Sequence, residues 1–243
     1  MFRSLLQLVL ASSSLTQGNV TNGTLPVDYG VLLFPAFQAL DVFGPMDALN
    51  ILSWNYSINL HLISDSLDPV TTKSEAMNVP NSNFSESVVP THTFDNPPPK
   101  IDVLFVPGGV GTRAPAPALD RHIAFIKETY PSLQYLISVC TGSWLLAKAG
   151  VLDGKNATSN KRAWAGREGL GNGTQWIAHA RWIVDGNIWT TSGVSAGMDG
   201  TLAWMAEVYG EDAALDVANG MEYERHTNGS WDPFADLYGL PYP

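Results

Sequence analysis

The chain has 243 residues, 45% of them hydrophobic, and a net charge of −10 from 13 Lys plus Arg against 23 Asp plus Glu. That length buries a core without a disulfide or metal staple, and the excess negative charge opposes nucleic-acid or anionic-lipid partners. Past the N-terminus no apolar run is long enough to span a bilayer and no repeat is present, which excludes stable membrane insertion by a helix and points to one globular domain.

Met1-Phe2-Arg3, the apolar stretch Leu5 to Ala11 and the small, polar series that follows have the layout of a cleaved secretory signal, 1–18, ahead of a polar segment, 19–26, and a domain, 27–243. Glycosylation acceptors begin at Asn19, Asn22, Asn55, Asn83, Asn156, Asn172 and Asn228. Together these predict a glycoprotein that is secreted or held in the secretory-pathway lumen. In such a compartment the single cysteine, Cys140, is a free thiol, an intermolecular link or a small buried hydrophobe, since it has no partner within the chain.

Val27 to Phe34 reads as a strand stopped by Pro35, and Ala39 to Leu52 as a helix with apolar spacing at Leu40, Phe43, Ala48, Leu49 and Leu52. Ser57 to Ser64 alternates as a strand would. The Asn/Ser/Pro-rich stretch from Asp65 to Lys100 reads as loop holding one short hairpin. Ile101 to Val106 and Gln134 to Val139 are buried strands, Ala118 to Tyr130 and Thr141 to Gly150 helices. Trp176 to Val184 pairs with Ile188 to Thr191 around Asp185-Gly186-Asn187. Helices over Ala196 to Tyr209 and Glu211 to Tyr223 precede a Pro- and aromatic-rich tail. Alternation of strand and helix implies a mostly parallel sheet covered on both faces, a single-domain three-layer α/β/α sandwich. In such sheets reactive groups gather at the carboxyl ends of strands.

Cys140 falls on one of those ends, directly before a helix. Backbone N–H groups and the dipole there favour a thiolate, the arrangement of a nucleophile elbow. Gly142 permits close approach, and N–H groups of the Gly108-Gly109 turn are candidates for stabilising an oxyanion. A strand ending in Val-Cys-Thr-Gly also makes an unreactive buried turn. The five histidines lack metal-ligand spacing, so no metal or cofactor is indicated. Asp199 reads as a helix-start charge or structural acceptor. Trp164, Trp176, Trp182 and Trp189 read as core or dimer contacts, with a pocket wall as the alternative. Asp41 alone would be a helix cap.

Leu40-Asp41-Val42-Phe43-Gly44-Pro45, Val106-Pro107-Gly108-Gly109, Ser138-Val139-Cys140-Thr141-Gly142, Gly150-Val151-Leu152-Asp153-Gly154 and Thr191-Ser192-Gly193-Val194-Ser195-Ala196-Gly197-Met198-Asp199 resemble successive signatures of the PfpI/ThiJ superfamily, of the class I glutamine amidotransferase-like, flavodoxin-like fold. The subgroup most similar is isocyanide hydratase-like, with Asp in Asp-x-x-Gly-Pro and Cys-Thr at the elbow. That resemblance implies a cofactor-free lyase in which Cys140 attacks a small electrophile, Asp41 handles a proton or orients water and Thr141 positions the site. It also implies a homodimer. Thr141 stands where protease-like branches carry histidine, so peptidase activity is disfavoured. Asn160 stands where hydratase-like members often carry histidine, and it cannot act as a general base. The alternatives are a natural-product isomerase or cyclase using Asp41, a non-catalytic ligand-binding domain, and a redox sensor oxidised at Cys140.

Overall fold

The structure, a computed structural model, describes residues 24–77 and 80–242. The expected signal segment 1–18, Asn19 and Asn22 lie outside the described residues. In chain order the elements are β1 (Asp28–Leu32), α1 (Ala39–Leu52), β2 (Asn59–Ser64), β3 (Val70–Thr71), β4 (Ser87–Val88), β5 (His92–Thr93), β6 (Val103–Val106), α2 (Asp120–Thr129), β7 (Tyr135–Ser138), α3 (Gly142–Lys148), β8 (Asn156–Ala157), β9 (Gln175–Trp176), β10 (Trp182–Asp185), β11 (Ile188–Thr191), α4 (Ala196–Tyr209), α5 (Glu211–Gly220) and α6 (Pro233–Leu237).

Val103 to Val106 and Leu136 to Ser138 are buried without alternation, as strands covered on both faces must be. They form the middle of a seven-stranded sheet of order β10-β11-β7-β6-β1-β2-β5, parallel except for the β10–β11 pair. Helices α1, α4 and α5 pack together and α2 packs on α3, giving helical layers on the two faces. Val31 lies opposite Phe105, Phe105 opposite Ile137 and Ile137 opposite Trp189. The four central strands therefore end side by side, and the turns after them meet at one edge. Direction along the sheet reverses between β1 and β6, the crevice where α/β sheets place ligands.

Three expectations shift. The segment 65–100 contains the hairpin β3–β4 but also β5, which extends the sheet beyond β2. The helix expected from Ala118 starts at Asp120, because the Ala118 and Asp120 N–H groups close turns onto Pro115 and Pro117. The strand expected over Trp176 to Val184 splits into β9 and β10. Its middle is drawn off by side chains: Thr158 Oγ1 donates to Ile177 O at 2.8 Å and Lys161 Nζ to Ala180 O at 3.0 Å.

Candidate functional site

The turn after β7 puts Cys140 at φ +59°, a left-handed conformation that costs a non-glycine residue about 1–3 kcal/mol. Three hydrogen bonds hold it there: Cys140 N–H donates to Ser192 O at 2.9 Å, and Ser143 and Ser159 hydroxyls donate to Cys140 O at 3.2 and 3.1 Å. Gly142 starts α3 hard against β6, where a Cβ would stand 2.8 Å from Pro107 O. Gly108 is needed for the same reason, since a Cβ there would stand 2.8 Å from Cys140 Cβ.

Asp41 occupies the first turn of α1, whose N-cap is Gln38. Its carboxylate turns away from the helix start and across to the next strand end, where Oδ2 accepts the Gly108 N–H at 2.9 Å. It is 2% exposed, and Oδ1 has no hydrogen-bond partner. Burial pushes this carboxyl up to about 7, against the pull of the Gly108 N–H and the Cys140 thiol. Cys140 is equally enclosed. Burial first, and then the Asp41 charge, push its thiol up to about 12, against hydrogen bonds from the Val194 and Thr141 backbone and the Asn160 amide. Burial thus opposes the resting thiolate expected from the helix start. A helix start contributes about 0.3–1 kcal/mol, at most about 2, whereas the rise from 9.0 to about 12 corresponds to about 4 kcal/mol. Above pH about 7 the pair is a carboxylate beside a protonated thiol.

Asn160 takes a position that its residue type did not announce. Its Nδ2 donates to Cys140 Sγ at 3.2 Å, while Oδ1 accepts the Ala163 N–H at 2.9 Å. The second bond fixes the amide so that its donor end must face sulfur. Gly193 makes room, since a Cβ there would stand 2.8 Å from Nδ2. Thr141 faces the other way. Its hydroxyl accepts the Gly109 N–H at 3.0 Å and the Thr112 hydroxyl at 3.0 Å, bracing the β6 turn.

A cavity of about 210 Å³ is lined by residues that include Asn160, Lys161, Gly193, Val194, Phe234 and Tyr238, and it adjoins Cys140 through Asn160, whose amide reaches Sγ. Of these, Lys161 is buried, donating to Thr158 Oγ1, Ser159 O and Ala180 O at 2.6, 2.9 and 3.0 Å. Burial draws its pKa down to about 8, against the attraction of Asp232.

The sequence matches the DJ-1/PfpI family over residues 30–207. The chain belongs to the DJ-1/PfpI family. It is 35% identical to isonitrile hydratase of Pseudomonas putida over 199 residues, 82% of this chain and 79% of the relative. A deglycase of Pyrococcus horikoshii is 33% identical over 119 residues, 47% of this chain and 65% of the relative. Among solved structures, a ThiJ/PfpI family protein from Pseudomonas syringae superposes with a TM-score of 0.66 at 31% identity, covering 82% of this chain and 76% of that one. The fold and family expected from the motifs are thus present.

The secretory reading is overturned. The relatives that share this fold and sequence are the isonitrile hydratase and ThiJ/PfpI proteins, and the match brings with it no signal peptide, secretion or glycosylation. Asn55, Asn83, Asn156, Asn172 and Asn228 are exposed. Two of them are engaged locally: Asn156 Nδ2 donates to Asp185 Oδ2 at 3.3 Å, and Asn228 Oδ1 accepts the Ser230 N–H at 3.0 Å.

Cys140, Asp41, Thr141, Gly108, Gly109 and Gly142 come together as expected of the family, but the glycines do not offer free donors. Gly108 N–H goes to Asp41, Gly109 N–H to Thr141 and Gly142 N–H to Val139 O at 2.9 Å. The donors at sulfur are Val194, Thr141 and Asn160 instead. Asp199 is a structural acceptor, buried and bound to Arg181 Nε at 2.6 Å and Tyr223 Oη at 3.0 Å. Trp164 and Trp176 pack edge to face and also line a second cavity of about 340 Å³. Among the described residues no cluster of His, Cys, Asp or Glu could hold a metal, and no helix is long and apolar enough to cross a membrane.

Proposed function

We propose that the protein hydrates a small isocyanide to the N-substituted formamide, with Cys140 as nucleophile and Asp41 as proton carrier. The observation that carries this reading is the buried pair itself, a carboxyl with a pKa of about 7 beside a protonated thiol whose sulfur accepts a hydrogen bond from Asn160, a residue that lines a small cavity. The likeness to isonitrile hydratase supports the substrate class.

Sγ adds to the terminal carbon of R–N≡C while its proton passes through Asp41 to that carbon, giving the thioimidate S–CH=N–R. Asp41, again a carboxylate, takes a proton from water as the water oxygen joins the same carbon, and passes that proton to the nitrogen. Collapse expels Sγ, which regains the hydroxyl proton through Asp41 and leaves R–NH–CHO. One water is consumed and no electrons are lost. Asn160, Val194 and Thr141 stabilise the sulfur while it carries charge on departure. Peroxide sensing is the weaker role for so buried and protonated a thiol.

The same carboxyl pKa favours a second reading, in which Asp41 alone performs acid/base chemistry on another small molecule and Cys140 is a spectator. Homodimerisation belongs to the proposal as well, supported by Leu40 and Phe43, which leave apolar surface exposed one turn apart on α1. Formation of N-phenylformamide from phenyl isocyanide by wild type, and its loss in Cys140→Ala, is the expected result. Absence of hydration with both aryl and alkyl isocyanides overturns the proposal, and full turnover by Cys140→Ala transfers the chemistry to Asp41.

A further inference from the structure

Two residues that line the cavity, Phe234 and Tyr238, come from beyond residue 207, where the family match ends. After α5 the chain runs back over the site and is tied down at three places. Arg181 N–H donates to Gly229 O at 2.7 Å. Asp232, 4% exposed, lies 3.5 Å from Lys161 Nζ with Oδ2 and accepts the Phe234 N–H at 3.0 Å with Oδ1, capping α6. Farther on, His179 Nε2 donates to Leu240 O at 3.0 Å, and its ring stacks on Tyr242 with centroids 3.7 Å apart.

Between the second and third ties, Phe234 and Tyr238 stand one helical turn apart and line the same cavity as Asn160 and Val194. A tail serving only to cover the fold would bury these rings, yet they are 47% and 44% exposed while lining a cavity shared with the polar side chains of Asn160 and Ser192. A volume of about 210 Å³ is that of about seven liquid waters, room for one ring and the group that reacts. Lys161 has its three protons committed to Thr158, Ser159 and Ala180 and faces Asp232 besides, so it has none to offer the reaction.

The geometry points to α6 as the specificity-determining element of the site: Phe234 and Tyr238 receive an aromatic substituent carried by the electrophile, and the Lys161–Asp232 pair is the positioning element that holds them there. This rests on the proposal that a small electrophile reacts at Cys140. Because α6 is separate from the reacting pair, it governs selection rather than the chemical step.

The test uses the full chain and two probes, phenyl and ethyl isocyanide, with isothermal titration of N-phenylformamide into the Cys140→Ala protein as a readout free of turnover. Phe234→Ala and Tyr238→Ala are each expected to lower the phenyl-to-ethyl ratio of kcat/KM about tenfold, through KM, and to weaken N-phenylformamide binding by a similar factor. Phe234→Tyr keeps a ring and is expected to retain the ratio. Asp232→Asn retains the α6 cap but removes the ion pair, and is expected to shift the ratio in the same direction, with thermal melts reporting whether the fold persists. An unchanged ratio and unchanged binding in both ring-deleted variants overturn the inference. If wild type hydrates neither isocyanide while N-phenylformamide binding still depends on both rings, the hydratase reading fails and the aromatic subsite stands. Hydration that is indifferent to both rings gives the reverse.

Discussion

Asp41→Asn separates what the site costs from what it does. The carboxyl rises from the ordinary 3.8 to about 7, and at about 1.4 kcal/mol for each tenfold change in proton affinity this corresponds to about 4 kcal/mol. The folded state binds the proton more tightly than the unfolded chain, so the associated stability is complete below pH 3.8 and is lost as pH climbs to about 7. Asparagine keeps an oxygen for the Gly108 N–H and has no proton to lose, but housing its NH₂ beside Cys140 costs about 1–3 kcal/mol if it is left unpaired. The variant is therefore expected to be about 1–3 kcal/mol more stable than wild type at pH 8, raising Tm by about 2–4 °C per kcal/mol. That advantage should shrink toward pH 4 or reverse. Urea unfolding of both proteins from pH 4 to 8 measures it directly, because every other titrating group is common to the two. A stability difference that does not change with pH, or one that favours wild type most at pH 8, refutes the reasoning.

For wild type, kcat/KM is expected to rise as pH passes about 7, as Asp41 becomes the base that takes the thiol proton, and this limb should be absent from any residual activity of Asp41→Asn. Iodoacetamide should alkylate Cys140 more slowly at pH 8 than it does a free thiol, since burial holds the proton on sulfur; unhindered alkylation would contradict the assignment. Gly193→Ala drives a methyl toward Asn160 Nδ2 and is expected to reduce kcat about tenfold to a hundredfold while leaving the melt nearly unchanged, by displacing one donor from sulfur. Gly142→Ala meets backbone carbonyls of Val106 and Pro107 instead of a movable side-chain tip, so it is expected to destabilise the fold by about 3 kcal/mol in urea unfolding.

What was legible in the sequence was contiguous. The strand–Cys140–helix turn, the Asp41 turn and the glycine turn at Gly108 each declare themselves within a few residues, and α1 runs over the residues its apolar spacing marked. What was not legible depends on strands far apart in the chain lying side by side. Asn160 and Val194 reach sulfur because β11 lies next to β7 and the loop after β8 folds across it. The glycine N–H groups were expected to be free because their partners, Asp41, Thr141 and Val139, are fixed by tertiary placement. The burial that opposes a thiolate was hidden for a related reason, since a dipole is a local property and burial is not. β5 is two residues long and exists only through its pairing with Ile63 and Ser64. The five residues of α6 carry too little periodicity to mark a helix, and nothing in the tail's composition placed Phe234 and Tyr238 over the site.

The central claim is that Cys140 forms a covalent bond to the substrate carbon with Asp41 moving its proton. Rapid chemical quench of wild type with phenyl isocyanide, followed by peptide mass spectrometry, tests it most directly. An adduct of one substrate mass on the Cys140 peptide is expected to appear before N-phenylformamide and to be absent from Cys140→Ala. Formation of N-phenylformamide at an undiminished rate in Cys140→Ala would contradict it.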